Sequence, residues 1–285
     1  MSKFSITYNL SKTVDTRRSA RSFKMEPLKP ETLTKLSDFS KTVKLPFACS
    51  TGIRFFKAEP TTTLYMSMKS PPDNVAFLSE TDVVSIAKTG FVGELLILFA
   101  ESLGVSTCWY GHYKLFELEK LMPHLQNASQ LKEAPKGYGY SKDVTDGVRA
   151  ICISPLCYYE SSGLRLMDRI TKNAYSFKRK EVKDLLDIRD DMVHLSDDVL
   201  YALDLARKAP STANSQMWLF NFENDFKTIK VSMPVGYKHF KWEHPNVEIG
   251  ICASHIWLAL VDRGFSPLVE VYEDKGRAVF SINYC

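Results

Sequence analysis

The chain has 285 residues, of which 45% are hydrophobic and 25% are charged, and its formal net charge at pH 7 is +4. These values are ordinary for a globular protein that buries a sizeable core, either as one large domain or as two closely packed halves. They argue against a disordered chain, and no basic cluster alternates with aromatic residues as a nucleic-acid groove would require.

The six cysteines show no Cys-x-x-Cys pair or other zinc-like spacing. We therefore expect reduced, mostly buried thiols and no metal site. The N-terminus lacks a continuous apolar core, so a signal peptide is not expected. The most apolar run, residues 91–103, is too short to span a bilayer and carries Glu94 and Glu101. The sequence predicts a cytoplasmic protein that binds neither membrane nor nucleic acid.

The first notable segment is basic: residues 17–21 read RRSAR. A guanidinium group offers a rigid fork of charge-assisted donors, and a serine hydroxyl fits beside it, so the segment suits a phosphate. The same residues are equally compatible with solvated surface charges. A helix is predicted to begin near Pro30, because apolar residues follow at helical spacing.

Residues 46–59 combine a small polar loop with an aromatic strand. Residues 60–82 are predicted to be loop, with residues 71–74 (PPDN) as the strongest turn signal. A long, largely buried helix is predicted over residues 83–103, ending near Gly104. A short strand over 105–110, a turn and a helix over 115–122 complete this region.

Residues 123–147 are polar and rich in turn formers, and their Gly-x-Gly lacks the third glycine of a dinucleotide fingerprint. Residues 148–156 are predicted to form a buried strand. Residues 165–183 are strongly basic and include FKRKEV at 177–182. This basic stretch is compatible either with anion binding or with a solvated connector.

A second helix-loop-strand unit follows. Residues 196–208 are predicted to be helical, with Ser196 as N-cap and two aspartates in the first turn. Pro210 ends the helix because proline has no N–H and disfavours the α conformation of the residue before it. Residues 209–216 then form a loop of small hydroxyl and amide side chains, which suits a polar ring system or an ordinary capping loop. A strand is predicted over 218–222.

A long apolar helix over residues 247–263, a glycine at Gly264 and strands over 268–272 and 278–284 complete the chain. This order of elements repeats that of the first half and predicts an internal duplication, with residues 1–185 and 186–285 as the two halves. The loop at 46–59 is interpreted as a degenerate copy of the loop at 209–216.

Several segments together resemble the FMN-dependent nitroreductase family. Residues 209–218 (APSTANSQMW) resemble its A-P-S-S-x-N-x-Q-P-W signature, with Met217 in place of the usual proline. Residues 17–23 (RRSARSF) resemble its R-R-S-x-R-x-F opening. Residues 104–111 (GVSTCWYG) are similar to its G-x-x-S-C-W-x-G-G, with His112 where a second glycine is usual. Residues 250–255 resemble its G-I-A-A-Q-N, and residues 177–182 resemble its Lys/Arg segment.

In that family the arginine and Asn/Gln signatures lie in one subunit, and each FMN is held between two subunits. Here the two signatures lie in different halves of one chain. The arrangement resembles the single-chain, tandem nitroreductase-like group, in which one polypeptide imitates the dimer. The resemblance implies an α+β nitroreductase-like fold with a mixed or antiparallel sheet flanked by helices, and one composite flavin site per chain.

The resemblance also implies a role for each matching residue. The basic segments are expected to contact the phosphate or ribityl region of FMN, and Arg21 is expected to contact its pyrimidine edge. The loop at 209–216 is expected to line the isoalloxazine ring, and the turn after residue 109 is expected to approach N5. A positive charge near the pyrimidine edge stabilises reduced flavin. The implied cofactor-binding residues are Arg17, Arg18, Ser19, Arg21, Tyr110, Gly111, His112, Lys178, Lys180, Pro210, Ser211, Thr212, Asn214 and Gln216.

The implied activity is that of an NAD(P)H-dependent oxidoreductase in which reduced FMN reduces a nitroaromatic, a quinone or a similar small-molecule acceptor. No protein residue is expected to act as nucleophile or acid–base catalyst, because the flavin carries the chemistry. A monomer is compatible with a pseudo-dimer. Two alternatives are a flavin-binding sensor or carrier without turnover, which bulk at His112 and Tyr113 would favour, and a degenerate scaffold that binds no flavin.

Overall fold

The computed structural model describes residues 9–65, 68–122, 148–160, 178–239 and 242–284, with the side chains of 189–191 excepted. The first sheet consists of three antiparallel strands, β1 (Gly52–Lys57), β4 (Asp73–Ser79) and β5 (Arg149–Leu156), in the order β1-β4-β5. A separate two-stranded hairpin consists of β2 (Thr63–Tyr65) and β3 (Met68–Lys69). Strand β4 pairs with β1 on one side and with β5 on the other, and both β4 and β5 are buried along their whole length.

The second sheet has four antiparallel strands in the order β6-β7-β9-β8. Its strands are β6 (Leu219–Glu223), β7 (Thr228–Ser232), β8 (Leu268–Asp274) and β9 (Arg277–Asn283). The helices of the described chain are α1 (Thr13–Thr16), α2 (Pro30–Thr42), α3 (Val83–Ser102), α4 (Leu115–Leu121), α5 (Asp197–Ala206) and α6 (Asn246–Asp262). Helices and antiparallel sheets together give the α+β, nitroreductase-like architecture that the sequence predicted.

The two long helices, α3 and α6, pack directly on each other in the centre of the molecule. Two glycines make this close approach possible. A Cβ atom on Gly90 would lie 2.0 Å from the carbonyl oxygen of Val247, and one on Gly250 would lie 1.8 Å from that of Ala87. Because any side chain there would collide with the backbone of the other helix, only glycine permits this crossing.

The same sequence of elements surrounds each long helix. Both helices end at a glycine with positive φ, Gly104 at 73° and Gly264 at 89°, and the same spacing separates each from its crossing glycine. Tyr110 bridges to Ile153 of β5 and Ser106 bridges to Cys157 directly after it, so the segment after α3 lies beside β5 as β8 lies beside β9. This shared order is compatible with two pseudo-repeats, and the division at residue 185 stays a prediction.

Helices α3 to α6 and most strands were predicted within two residues, as was the start of α2 at Pro30, whereas α1 was not predicted. Ser196 caps α5 by accepting a hydrogen bond from the Val199 N–H. Three strand assignments were wrong. Residues 105–110 form isolated bridges instead of a strand. The predicted loop over 60–82 contains β2, β3 and β4, and β7 was not predicted. Turn-forming Asp73 begins β4 because its carboxylate accepts the Leu28 N–H at 2.8 Å.

Helix α3 is long and apolar enough to cross a membrane by length and composition. In the structure it is instead the central helix of the core, with 14 of its 20 residues buried. The polar, turn-rich segment 123–147 and most of the basic stretch 165–183 lie outside the described residues. The described cysteines are free, and all but Cys49 are buried, as predicted.

We expect Gly250→Ala to lower the free energy of unfolding by at least about 2 kcal/mol, because the new methyl group overpacks against the Ala87 carbonyl. Urea denaturation measures this. Gly52→Ala is the control, since its Cβ would meet only the Leu78 side chain, at 3.2 Å. Glycine-to-alanine changes in unobstructed helices stabilise by about 0.5–1 kcal/mol, so a stabilised Gly250→Ala variant would contradict the crossing.

Candidate functional site

The basic segment at the N-terminus is attached to the edge of the first sheet. Ser19 bridges to Thr107 in parallel, and the Ala20 N–H donates to the Thr107 carbonyl at 2.9 Å. Arg17 is 5% exposed, and its Nη1 lies 3.4 Å from the Ser19 hydroxyl. Arg18 is exposed, and its guanidinium folds back onto the carbonyls of Asp15 and Arg17 at 2.7 and 2.8 Å.

Arg179 joins this cluster from the middle of the chain. Burial, together with the nearby charges of Arg17, Arg18 and Arg207, lowers the pKa of Arg179 to about 10. Its Nη1 donates to Asn214 Oδ1 at 2.7 Å. Arginines from two other segments therefore lie within electrostatic range of Arg179, which itself contacts an amide of the second half. We name Arg17, Arg18, Arg179 and Arg207 the arginine cluster.

Arg179 is the residue that sequence reasoning missed. Lys178 and Lys180 were chosen from the same basic segment, but the Lys178 side chain is exposed and the Lys180 ammonium donates to the Gln216 carbonyl at 3.0 Å. Successive side chains of an extended segment point to opposite sides, so two lysines at alternate positions leave the arginine between them on the other side. That alternation was the available signal.

The loop at 209–217 is fastened to this basic segment. Gln216 is 3% exposed, and its amide accepts from the Lys180 N–H at 2.8 Å and donates to the Lys178 carbonyl at 3.2 Å. Asn214 donates to the same carbonyl at 3.1 Å. Gln216 is thus a tether that holds Arg179 in place, while Asn214 contacts Arg179 directly.

The loop needs this support because its backbone is strained. Ala213, Asn214 and Gln216 all have positive φ, which costs non-glycine residues energy. Glu248 of α6 lies beneath the loop, where it accepts the Thr212 N–H at 2.7 Å and the Ser215 hydroxyl at 3.3 Å. Burial of Glu248 raises its pKa to about 7. Ser211 accepts the Gln216 N–H, and Pro210 is buried, so both serve the loop's own conformation.

The turn at 110–112 has a different environment. The Tyr110 side chain is buried against Tyr65, with ring centroids 4.7 Å apart, and its backbone N–H and carbonyl pair with Ile153 at 2.9 and 3.0 Å. Gly111 lies under the indole of Trp242, since a Cβ on Gly111 would be 2.3 Å from Trp242 Nε1. His112 and Arg21 are both half-buried. Trp242, which sequence reasoning also missed, comes from a stretch without helix or strand periodicity.

The loop in the first half that was interpreted as a degenerate copy borders a cleft of about 370 Å³. Its lining includes Cys49, Thr51, Arg54 and Val92. None of the residues predicted to bind the cofactor lines this cleft. The two loops therefore differ in environment: the later one faces the arginine cluster, and the earlier one faces a cleft within its own half.

The arginine cluster fits a phosphate group. Partly buried like charges repel one another, and a dianion with several acceptor oxygens offsets that repulsion while accepting forked guanidinium hydrogen bonds. Arg207 is already paired with Asp204 at 2.7 Å, which leaves Arg17, Arg18 and Arg179 as the candidate phosphate ligands. The donor set is therefore that expected for the phosphate end of FMN.

Comparison with known proteins shows the family of the chain. The family model described as "Putative TM nitroreductase" matches residues 9–260. The chain belongs to this nitroreductase family. No curated protein matched the sequence.

Among solved structures of the nitroreductase fold, the Thermotoga maritima protein described in the same terms aligns with a TM-score of 0.59 and 16% identity, over 97% of this chain and 94% of that one. A nitroreductase family protein from Clostridium novyi has a TM-score of 0.37 and 16% identity, over 56% of this chain and 90% of that one. An FMN-dependent nitroreductase from Clostridium difficile has a TM-score of 0.34 and 15% identity, over 58% of this chain and 98% of that one.

The Glu248 carboxyl predicts a pH dependence. Its pKa rises from 4.5 to about 7 on folding, so the folded state holds this proton more tightly and stability falls as pH increases between those values. Glu248→Gln removes this effect. Between pH 4.5 and pH 8, the free energy of unfolding of the variant, measured by urea denaturation, should rise by about 3 kcal/mol relative to that of the wild type. The exposed Glu270→Gln is the control, and a pH-independent difference for Glu248→Gln would contradict the assignment.

Proposed function

We propose that this nitroreductase family member is an FMN-dependent oxidoreductase that takes electrons from NADH or NADPH and passes them to a nitroaromatic, a quinone or a similar acceptor. The observation that carries the proposal is that Arg179 contacts Asn214 of the second half and lies within electrostatic range of Arg17 and Arg18. These residues come from both halves of the chain, as a cofactor site made between two subunits would require.

In this proposal Arg17, Arg18, Ser19 and Arg179 hold the phosphate. Arg179 and the loop at 209–217 fix each other, so the phosphate site and the ring site form together. Asn214 presents its amide from that loop, and Arg21 supplies a cation towards the pyrimidine edge. When bound, the flavin accepts a hydride and passes the electrons on, while protons come from solvent.

The proposal places one FMN per chain and makes the protein a tandem, pseudo-dimeric member of its family. It further includes a cytoplasmic location, a small-molecule acceptor as the functional partner, and activity as a monomer. A flavin-binding protein without turnover is the second candidate. The packing of Trp242 onto Gly111 favours it, because that turn is where the resemblance puts the reactive edge of the ring.

Anaerobic spectroscopy separates these candidates. The purified protein is mixed with FMN, and its visible absorption is followed on addition of NADH and, separately, NADPH. Bleaching of a bound flavin band, followed by recovery on addition of a quinone, supports the reductase. A bound band that persists with both nucleotides supports the carrier, and the absence of a bound band contradicts both.

Arg179→Met should raise the Kd for FMN about 10- to 100-fold, because one charge-assisted hydrogen-bond donor to the phosphate is lost together with its contact to Asn214. Titration of flavin fluorescence measures the Kd. Lys183→Met is the matched control, since this exposed lysine lies four residues further along the same segment. Equal Kd values for the two variants would remove Arg179 from the proposed site.

A further inference from the structure

A buried carboxylate lies at the point where the two halves and the N-terminal segment meet. Glu94 of α3 is 0% exposed. It accepts the Trp109 Nε1–H at 2.7 Å, faces His255 Nε2 of α6 at 3.2 Å, and lies 3.9 Å from Arg17 Nε. Three side chains from different elements therefore converge on one carboxylate that has no access to solvent.

His255 links two helices to the buried carboxylate through its two ring nitrogens. Its Nδ1 lies 3.0 Å from the Leu205 carbonyl, and its Nε2 lies 3.2 Å from Glu94 Oε1, while Glu94 Oε2 receives the indole donor. Glu94 and His255 thus form a hydrogen-bonded pair across the contact between α3 and α6.

The indole partner is held just as firmly. Trp109 stacks on Phe77 with ring centroids 4.6 Å apart. A Cβ on Gly93 would lie 2.4 Å from the far edge of the indole, so the ring rests directly on α3 one residue before Glu94. The position of the carboxylate is therefore set from both sides, by Trp109 in the first half and by His255 in the second.

The corresponding positions of the two long helices differ. When the crossing glycines Gly90 and Gly250 are matched, Glu94 corresponds to Ser254, and His255 corresponds to Leu95. Ser254 donates to the Ile251 carbonyl of its own helix at 2.7 Å, and Leu95 is a core residue. The ionic network therefore exists on only one side of the crossing, the side on which Arg17 lies.

We propose that Glu94 and His255 are positioning residues that brace Arg17 for the phosphate of FMN. The proposal rests on the proposed function. Arg17 and Arg179 are like charges within electrostatic range of each other, and Glu94 offsets that repulsion from the buried side of Arg17. Glu94 faces Nε and Ser19 faces Nη1, while Nη2 has no hydrogen-bond partner within the described chain. The brace thus leaves one edge of the guanidinium for an anion.

The sign of one mutational effect tests this role. Glu94→Gln keeps the shape of the side chain and removes its charge. If Glu94 acted only through its charge, the variant would bind an anion more tightly, because the cluster becomes more positive. If Glu94 positions Arg17, the variant binds the phosphate more weakly.

The experiment measures Kd for FMN and for riboflavin, which lacks the phosphate, by flavin fluorescence. Glu94→Gln and His255→Leu are expected to raise the Kd for FMN by about tenfold and to leave that for riboflavin within about twofold. Glu101→Gln, on the same helix, is the control and should match the wild type. An unchanged or lower Kd for FMN in Glu94→Gln would overturn the brace, as would an equal loss for both flavins. If Glu94→Gln does not fold, the Kd values of His255→Leu for FMN and riboflavin test the proposal, with the same expected and contradicting results.

A second readout does not depend on flavin. In ¹⁵N-labelled protein, the buried Arg17 Nε–H should give a slowly exchanging NMR signal, which Arg17→Lys identifies by its disappearance. This signal should exchange rapidly in Glu94→Gln and persist in Glu101→Gln. If the wild type binds neither flavin, the proposed function fails. The NMR signal then still tests whether Glu94 holds Arg17, because its persistence in Glu94→Gln would overturn that role.

Discussion

The close crossing of α3 and α6 at Gly90 and Gly250 is the constraint on which the rest of the structure depends. Two helices can approach this closely only where neither has a side chain, and the contact brings the two halves into one core. The same contact places Glu94 against His255 and Glu248 beneath the loop at 209–217. The geometry of the candidate site is therefore set inside the core, at the junction of the halves.

The candidate site balances repulsion among cations against a small number of fixed partners. Burial, together with the neighbouring charges of the arginine cluster, lowers the pKa of Arg179. In the proposed function a phosphate dianion would offset that repulsion. The turn at Gly111 is apolar instead, because the Trp242 indole packs on it. A ligand with an anionic end and an aromatic end suits both environments.

Sequence patterns gave the helices reliably, because the long apolar helices and the Ser196 cap are local features. Strand β4 was missed because Asp73 and Asn74 are turn formers, and only distant partners, such as the Leu28 N–H, make a strand of them. In the site, the loop signature identified the segment that contacts Arg179, and the role of the arginine signature stays a prediction. Arg179, Glu248 and Trp242 could not be assigned from sequence, since their roles come from contacts with residues far away in the chain.

The central claim is that the chain forms one phosphate-and-flavin site from residues of both halves. Isothermal titration of the purified protein with FMN tests this most directly, because it counts sites as well as measuring affinity. The account predicts one FMN per chain in the wild type, with the affinity lost when Arg17 and Arg179 are replaced together. Two sites per chain, no binding, or one site that is indifferent to both arginines would contradict it.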